Sequence, residues 1–236
     1  MTTAEDRLDN PVWWALSTVQ AAFAEGVGAA RRYRPEVSVF AALERLDGDA
    51  WATLAGLAPP ATVFVLARAE AVVPPPGWTV EMSGVGHQMR ADRLEAPPRP
   101  DRPVAVRDLT ADDLAAVLEL IELARPGPFT AGTIQLGSYV GVVEDGRLLA
   151  MAGERLHLPG FTEVSAVATH PEARRRGLAA TVTHHVARAI RQRGETPILH
   201  VADGNVGAQR VYERLGFRER RTMSFMAVRS PAGSPG

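Results

Sequence analysis

The sequence predicts an α/β fold in which helices flank a sheet, and three observations carry that prediction. Residues from 104 onward run in the order strand, helix, three strands, helix, strand, helix, strand. The turn Glu144-Asp145-Gly146 between two apolar runs marks an antiparallel hairpin, because its glycine supplies the positive φ that a tight turn wants. The composition, 46% hydrophobic and 22% charged over 236 residues, is that of a folded globular chain. Such a length suits one large domain or two small ones.

From the N-terminus, Asn10-Pro11 has the form of a cap followed by first-turn proline. It predicts an amphipathic helix over Val12 to Arg32, with Trp13, Leu16, Val19, Phe23 and Val27 on its apolar face. Ala50 to Leu57 suggests a short second helix. Thr62 to Leu66, Trp78 to Met82 and Gly86 to Arg90 suggest strands of a small sheet. Nothing in this half demands chemistry: Trp13, Trp14, Trp51 and Trp78 read as core or interface anchors, and His87 as structural. The proline-dense stretch Ala96 to Pro103 reads as an interdomain linker, since proline stiffens the chain and lacks the amide a sheet needs. It separates an N-terminal lobe, 1–95, from a second domain, 104–229, with 230–236 expected to be a disordered tail.

In the second domain Val104 to Arg107 reads as a strand, and Thr110 caps a helix that carries Asp112 and Asp113 in its first turn. Arg125 to Phe129 ends that helix as a loop. Tyr139 to Val143, Arg147 to Glu154 and Thr162 to Thr169 form an antiparallel meander. A helix from Leu178 to Arg193, a buried strand at Pro197 to Val201, a helix from Asn205 to Leu215 and a strand around Arg220 to Val228 complete the order.

Composition removes several function classes. Every one of the 26 basic residues is arginine, so a Walker-type phosphate loop and a lysine Schiff base are excluded. Cysteine is absent, which rules out disulfides, thiolate zinc sites and cysteinyl intermediates. A net charge of −1 argues against a dedicated nucleic-acid binder. No apolar run approaches the roughly 18 residues of a membrane span, and no targeting segment is visible, so a cytoplasmic location is expected. His170, His184, His185 and His200 lack metal-ligand spacing with acidic partners, so they read as structural or surface residues and no metal is expected.

The chemistry points to Val167-Ala168-Thr169-His170-Pro171-Glu172-Ala173-Arg174-Arg175-Arg176-Gly177-Leu178-Ala179. A strand stops at His170-Pro171, a basic turn follows, and Gly177 opens a helix whose first turn holds only small residues after Leu178. Such a turn aims free backbone amides and the positive helix end at one point, where a pyrophosphate is stabilised. A nicotinamide-type dinucleotide site is not expected, because the turn follows a meander and lacks the repeated-glycine fingerprint with its distal acid.

Arg174-x-x-Gly177-x-Ala179 resembles the phosphate-turn signature of the GCN5-related N-acetyltransferase (GNAT) superfamily. Asn205, Ala208 and Tyr212-Glu213-Arg214-Leu215-Gly216-Phe217 resemble its second signature, in the expected order after the strand at Leu199-His200-Val201. The resemblance covers Val104 to Val228. Leu8-Asp9-Asn10-Pro11 is similar to a segment of the FR47-like branch, whose N-terminal half resembles a degenerate copy of the same fold. The resemblance implies a mixed, mostly antiparallel central sheet flanked by helices, and acetyl transfer from acetyl-CoA to an amine.

By position, the resemblance implies that Val167, Ala168 and Thr169 bind the pantetheine arm. Arg174, Arg175, Arg176, Gly177, Leu178, Ala179 and Ala180 would hold the pyrophosphate, and Asn205 would bond the arm or cap its helix. Glu163 lies eleven positions before Arg174, where family members hold a strand glutamate that acts as base. Glu154 is the reserve. Strand alternation would put Glu163, Ser165 and Val167 on one face. Tyr212 matches the tyrosine that protonates the leaving thiolate. The acceptor, a small-molecule amine rather than a protein tail, is expected near Ser165 and Phe129. Without cysteine, direct attack in a ternary complex is the simplest route. The alternative is a degenerate relative that binds acyl-CoA as a sensor or partner-recruiting module.

Overall fold

The computed structural model of the chain describes residues 3–97 and 104–232. Helix α1 (Pro11–Ser17) begins at the expected proline, but the helix predicted as far as Arg32 stops after two turns. Thr18 leaves the helical region at φ −135°, and Gly26 and Gly28 adopt φ of 105° and 66°, which a helix cannot contain. Here the chain instead pairs β1 (Ala24–Glu25) with β2 (Ala30–Tyr33), and β2 in turn with β3 (Ala41–Leu43), all antiparallel. The glycine is required: a Cβ on Gly26 would lie 2.8 Å from the Ala30 carbonyl oxygen. Apolar spacing misled because Val19 and Val27 are surface residues, 58% and 79% exposed.

Helix α2 (Gly48–Ala55) is capped by Asp47, whose carboxylate accepts from the Ala50 amide at 2.9 Å. Strand β4 (Val63–Arg68) follows, and then β5 (Thr79–Arg90), in which the two predicted strands are one because Ser83-Gly84-Val85 stays extended. Trp51 and Trp78 meet edge-on at 4.8 Å beside Phe64, as core anchors.

Beyond the undescribed residues come β6 (Arg107–Asp108) and α3 (Leu114–Ala124), whose start is fixed by a reciprocal Thr110–Asp113 capping box. Of the strand predicted at 104–107 only its last residue pairs, opposite Gly141. Then follow β7 (Tyr139–Glu144), β8 (Arg147–Leu158), β9 (Phe161–Thr169), α4 (Leu178–Gln192), β10 (Thr196–Ala202), α5 (Val206–Arg214) and β11 (Arg218–Arg229). The β7–β8 turn carries positive φ at both Asp145 and Gly146, as a tight hairpin demands. The large sheet has the order β4-β11-β5-β10-β9-β8-β7-β6 and is mostly antiparallel, β9 and β10 being parallel. Alternation sorts the side chains of β7 and β8: Val140, Val142, Ala150 and Ala152 join a core with α4 and α5, whereas Tyr139 and Met151 join one with α3.

Compactness divides the chain into two units, one of Met1–His87, Leu156–Pro159 and Arg221–Gly236, the other of Gln88–Arg155 and Gly160–Arg220. Neither is a single segment, because the division falls inside β5, β8 and β11; a linear cut at the proline-rich stretch does not anticipate this, since strand pairing ignores sequence distance. Of the expected linker 96–103, residues 98–103 lie outside the described residues. Of the expected tail, Ser230 is buried and donates its amide to the Thr62 carbonyl at 2.9 Å, while 233–236 lie outside the described residues. Among the described residues no helix is long and apolar enough to cross a membrane.

Candidate active site

The start of α4 has no side-chain cap. Its N-cap is Gly177 in the left-handed region at φ 78°, two residues after Arg175 at φ 65°. The backbone bond from the Thr181 amide to the Gly177 carbonyl opens the ladder, so the amides of Leu178, Ala179 and Ala180 precede it as first-turn donors. A cavity of about 220 Å³ lies at this point, lined by Arg174, Arg175, Gly177 to Ala180, and by Thr169, Ala173, Val211 and Arg214. A Cβ at Gly177 would meet nothing within 4 Å, so the glycine serves conformation and approach rather than packing. The Thr169 Oγ1 is buried with no hydrogen-bond partner and belongs to a residue lining this cavity. Uncapped amides, arginines and an unsatisfied hydroxyl fit a ligand rich in acceptor oxygens such as the diphosphate of a coenzyme. Arg176 differs from its neighbours, since its guanidinium is paired with Glu144.

Strands β9 and β10 pair only at Phe161–Thr196, Thr162–Pro197 and Glu163–Ile198, and then separate. Three residues beyond the last pair, Ala166 sits at φ 51°, a left-handed residue inside a strand and hence a bulge. The bulge corrects one expectation. Val164 and Val167 both pack into the α4 core, whereas Ala166 and Ala168 pack on the α3 side. Val167 therefore shares its face with Val164 and not with Glu163, because one extra residue reverses the alternation. The Val167–Thr169 edge lies beyond the stretch of β9 that pairs with β10.

Glu163 is buried, 1% exposed, and its carboxylate is held by three donors. Arg155 forks onto it, Nε to Oε2 at 2.8 Å and Nη2 to Oε1 at 2.7 Å, and His200 Nδ1 reaches Oε1 at 2.7 Å. Burial favours the neutral acid, but the Arg155 charge and the hydrogen bonds from Arg155 and His200 outweigh it, holding the carboxyl well below the usual carboxylate range. Glu154, the reserve, is buried against Arg193 at 2.8 Å. Sequence reading missed Arg155 and His200. The Pro159-Gly160 turn, which folds β9 back beside β8, was the legible signal for Arg155. No local signal marks His200, which by sequence alone is a structural residue.

Tyr212, on α5, is buried against Phe217, and burial pushes its hydroxyl up to about 12, so it stays protonated at ordinary pH. Gly216, at the end of the second motif, takes φ 94°, and a Cβ there would strike the Arg93 carbonyl oxygen at 2.3 Å. Asn205 caps α5, its Oδ1 accepting from the Ala208 amide at 3.2 Å. Phe129 packs edge-on against Tyr139 at 5.8 Å, and Ser165 is half-buried in β9.

The family model described as FR47-like protein matches residues 139–226. A solved GNAT-family putative acetyltransferase from Novosphingobium aromaticivorans is 39% identical, with a TM-score of 0.85 over 95% of this chain and 98% of that one. A GCN5-related N-acetyltransferase from Kribbella flavida, 22% identical, shares the fold with a TM-score of 0.64 over 94% and 96% of the two chains. A curated mycothiol acetyltransferase from Mycobacterium sp. (strain JLS) is 38% identical over 77 residues, 30% of this chain. The match spans about a quarter, 26%, of that relative's length.

Proposed function

Because the chain belongs to the GNAT family of acetyltransferases, as its 39% identity over nearly the whole of a family member shows, we propose that it moves an acetyl group from acetyl-CoA to an amine by direct attack in a ternary complex. One observation carries the reading: the uncapped, amide-lined start of α4 opens into a cavity that Thr169 also lines, at the end of the strand that diverges from β10. When bound, the coenzyme supplies an activated acyl group as a thioester. The amides of Arg175 to Ala180, with Arg174, would hold its diphosphate, and the Val167–Thr169 edge its pantetheine arm.

Tyr212 retains its proton and can donate it to a developing thiolate. Glu163 supplies the buried negative charge on which removal of the amine's proton depends. Phe129 and Ser165 border the acceptor, an amine of small-molecule size, since no acidic tract is present to draw a basic protein tail. No thiol is available to carry the acyl group, which supports direct transfer.

A binding-only relative is favoured by one feature, the closure of Glu163 by Arg155 and His200. Thiol release from acetyl-CoA with a panel of amines separates the two, and a chain with 0 cysteines gives no background to a thiol reagent. Turnover with intersecting double-reciprocal lines is expected. Parallel lines would refute direct attack, and coenzyme binding without turnover on any amine would favour the binding module.

A further inference from the structure

Five side chains form one hydrogen-bonded ladder across five neighbouring strands of the sheet, β11, β5, β10, β9 and β8. Arg220 Nη1 donates to Gln88 Oε1 at 3.1 Å, Gln88 Nε2 meets His200 Nε2 at 3.0 Å, His200 Nδ1 meets Glu163 Oε1 at 2.7 Å, and Arg155 closes the other end. The direction of every bond follows from its two ends. A guanidinium only donates, so the Gln88 amide must turn its oxygen to Arg220 and its N–H to His200. His200 Nε2 therefore accepts, and the imidazole proton sits on Nδ1, facing the carboxylate. The ladder thus fixes a neutral imidazole with its lone pair on Nε2 and an anion behind it, the arrangement that makes a histidine a base. Glu163 itself, gripped on both oxygens by Arg155, is a weaker base than an ordinary carboxylate.

His200 lies two residues beyond Ile198, the last β10 residue paired with β9. Its side chain is 5% exposed, and the Gln88 N–H stands where an N–H of an acceptor would be received. We propose that His200 Nε2 takes the proton of the acceptor amine and that Glu163 is a positioning residue that orients and stabilises the resulting imidazolium. The inference rests on the acetyl-transfer reading above. The acceptor arrives as an ammonium, displaces the Gln88 N–H and passes one proton to Nε2, which later releases it to solvent. Its freed lone pair forms the N–C bond as the C–S bond breaks, the bonding electrons staying on sulfur. Tyr212 protonates that sulfur and recovers a proton from the newly acylated nitrogen. The charged groups facing His200 include Glu163 with Arg155 on one side and Arg220 behind Gln88 on the other.

The test is the pH profile of kcat/KM for thiol release, in the full chain and two variants. His200→Gln is expected to lose the ascending limb and about 10²–10⁴-fold in rate. Glu163→Gln is expected to keep the limb but move it to lower pH, because an imidazolium without its anion is less stable. The reverse pattern, with the limb lost in Glu163→Gln and merely displaced in His200→Gln, overturns the proposal. A second measurement needs no turnover: imidazole nitrogen shifts in the unliganded protein, with the His200 signals identified by their loss in His200→Gln. A neutral ring protonated on Nδ1 is expected, and an Nε2–H tautomer or an imidazolium at neutral pH overturns the assignment. Coenzyme binding without turnover in the parent chain would instead count against the acetyl-transfer reading, while the nitrogen shifts still decide the ladder.

Discussion

Helices α4 and α5 begin in the same unit and treat their first-turn amides in opposite ways. At α5 the Asn205 side chain folds back onto the Ala208 amide, so the helix satisfies its own end. At α4 the N-cap is a glycine with no side chain to offer, the preceding turn is bent by left-handed Arg175, and the amides open into a cavity. A glycine at the N-cap forgoes only a few tenths of a kcal/mol relative to a capping side chain, and the omission makes sense where a ligand supplies the missing acceptors. The helix that holds itself closed carries the buried phenol, and the one left open carries the proposed anion cradle.

The largest effect expected from testing this division is on the closed helix. Tyr212→Phe removes the proton donor and should lower kcat by about 10²-fold or more, with coenzyme affinity measured by calorimetry nearly unchanged. A parallel loss of affinity would move Tyr212 from chemistry to binding. Next comes a change that makes α4 resemble α5. Gly177→Asp puts a carboxylate where the diphosphate is expected, with aspartate among the side chains most tolerant of a left-handed backbone. Coenzyme affinity should fall by about 100-fold, the loss of one or two charge-assisted bonds, and unchanged affinity would refute the cradle. The smallest effect opens α5: Asn205→Ala should lower stability by about 1 kcal/mol in denaturant unfolding and leave KM for the coenzyme alone. A raised KM would show that Asn205 bonds the pantetheine arm as well as capping.

The contrast between the two helix ends was visible in the residues themselves, because Asn205 and Gly177 act on their immediate neighbours. The same holds for the Thr110–Asp113 box and the Asp145-Gly146 turn. Reading failed where tertiary contacts override spacing. The apolar stripe from Trp13 to Val27 fits a helix, yet the two glycines and the pairing of Ala24 with Tyr33 make it a short helix and a hairpin. The offset from Arg174 points to Glu163, but not to Arg155 and His200 as its partners.

By itself the sequence determined the order of elements in the second half, the caps, the glycine turn that opens α4 and the family, all of which depend on residues close together in the chain or on motifs in fixed order. Only the tertiary structure decided the bulge at Ala166, the point where β9 leaves β10, and the ladder from Arg220 to Arg155. The reason is register. Which side chains meet across neighbouring strands depends on how the whole sheet aligns, and a shift of one residue sends each to the opposite face.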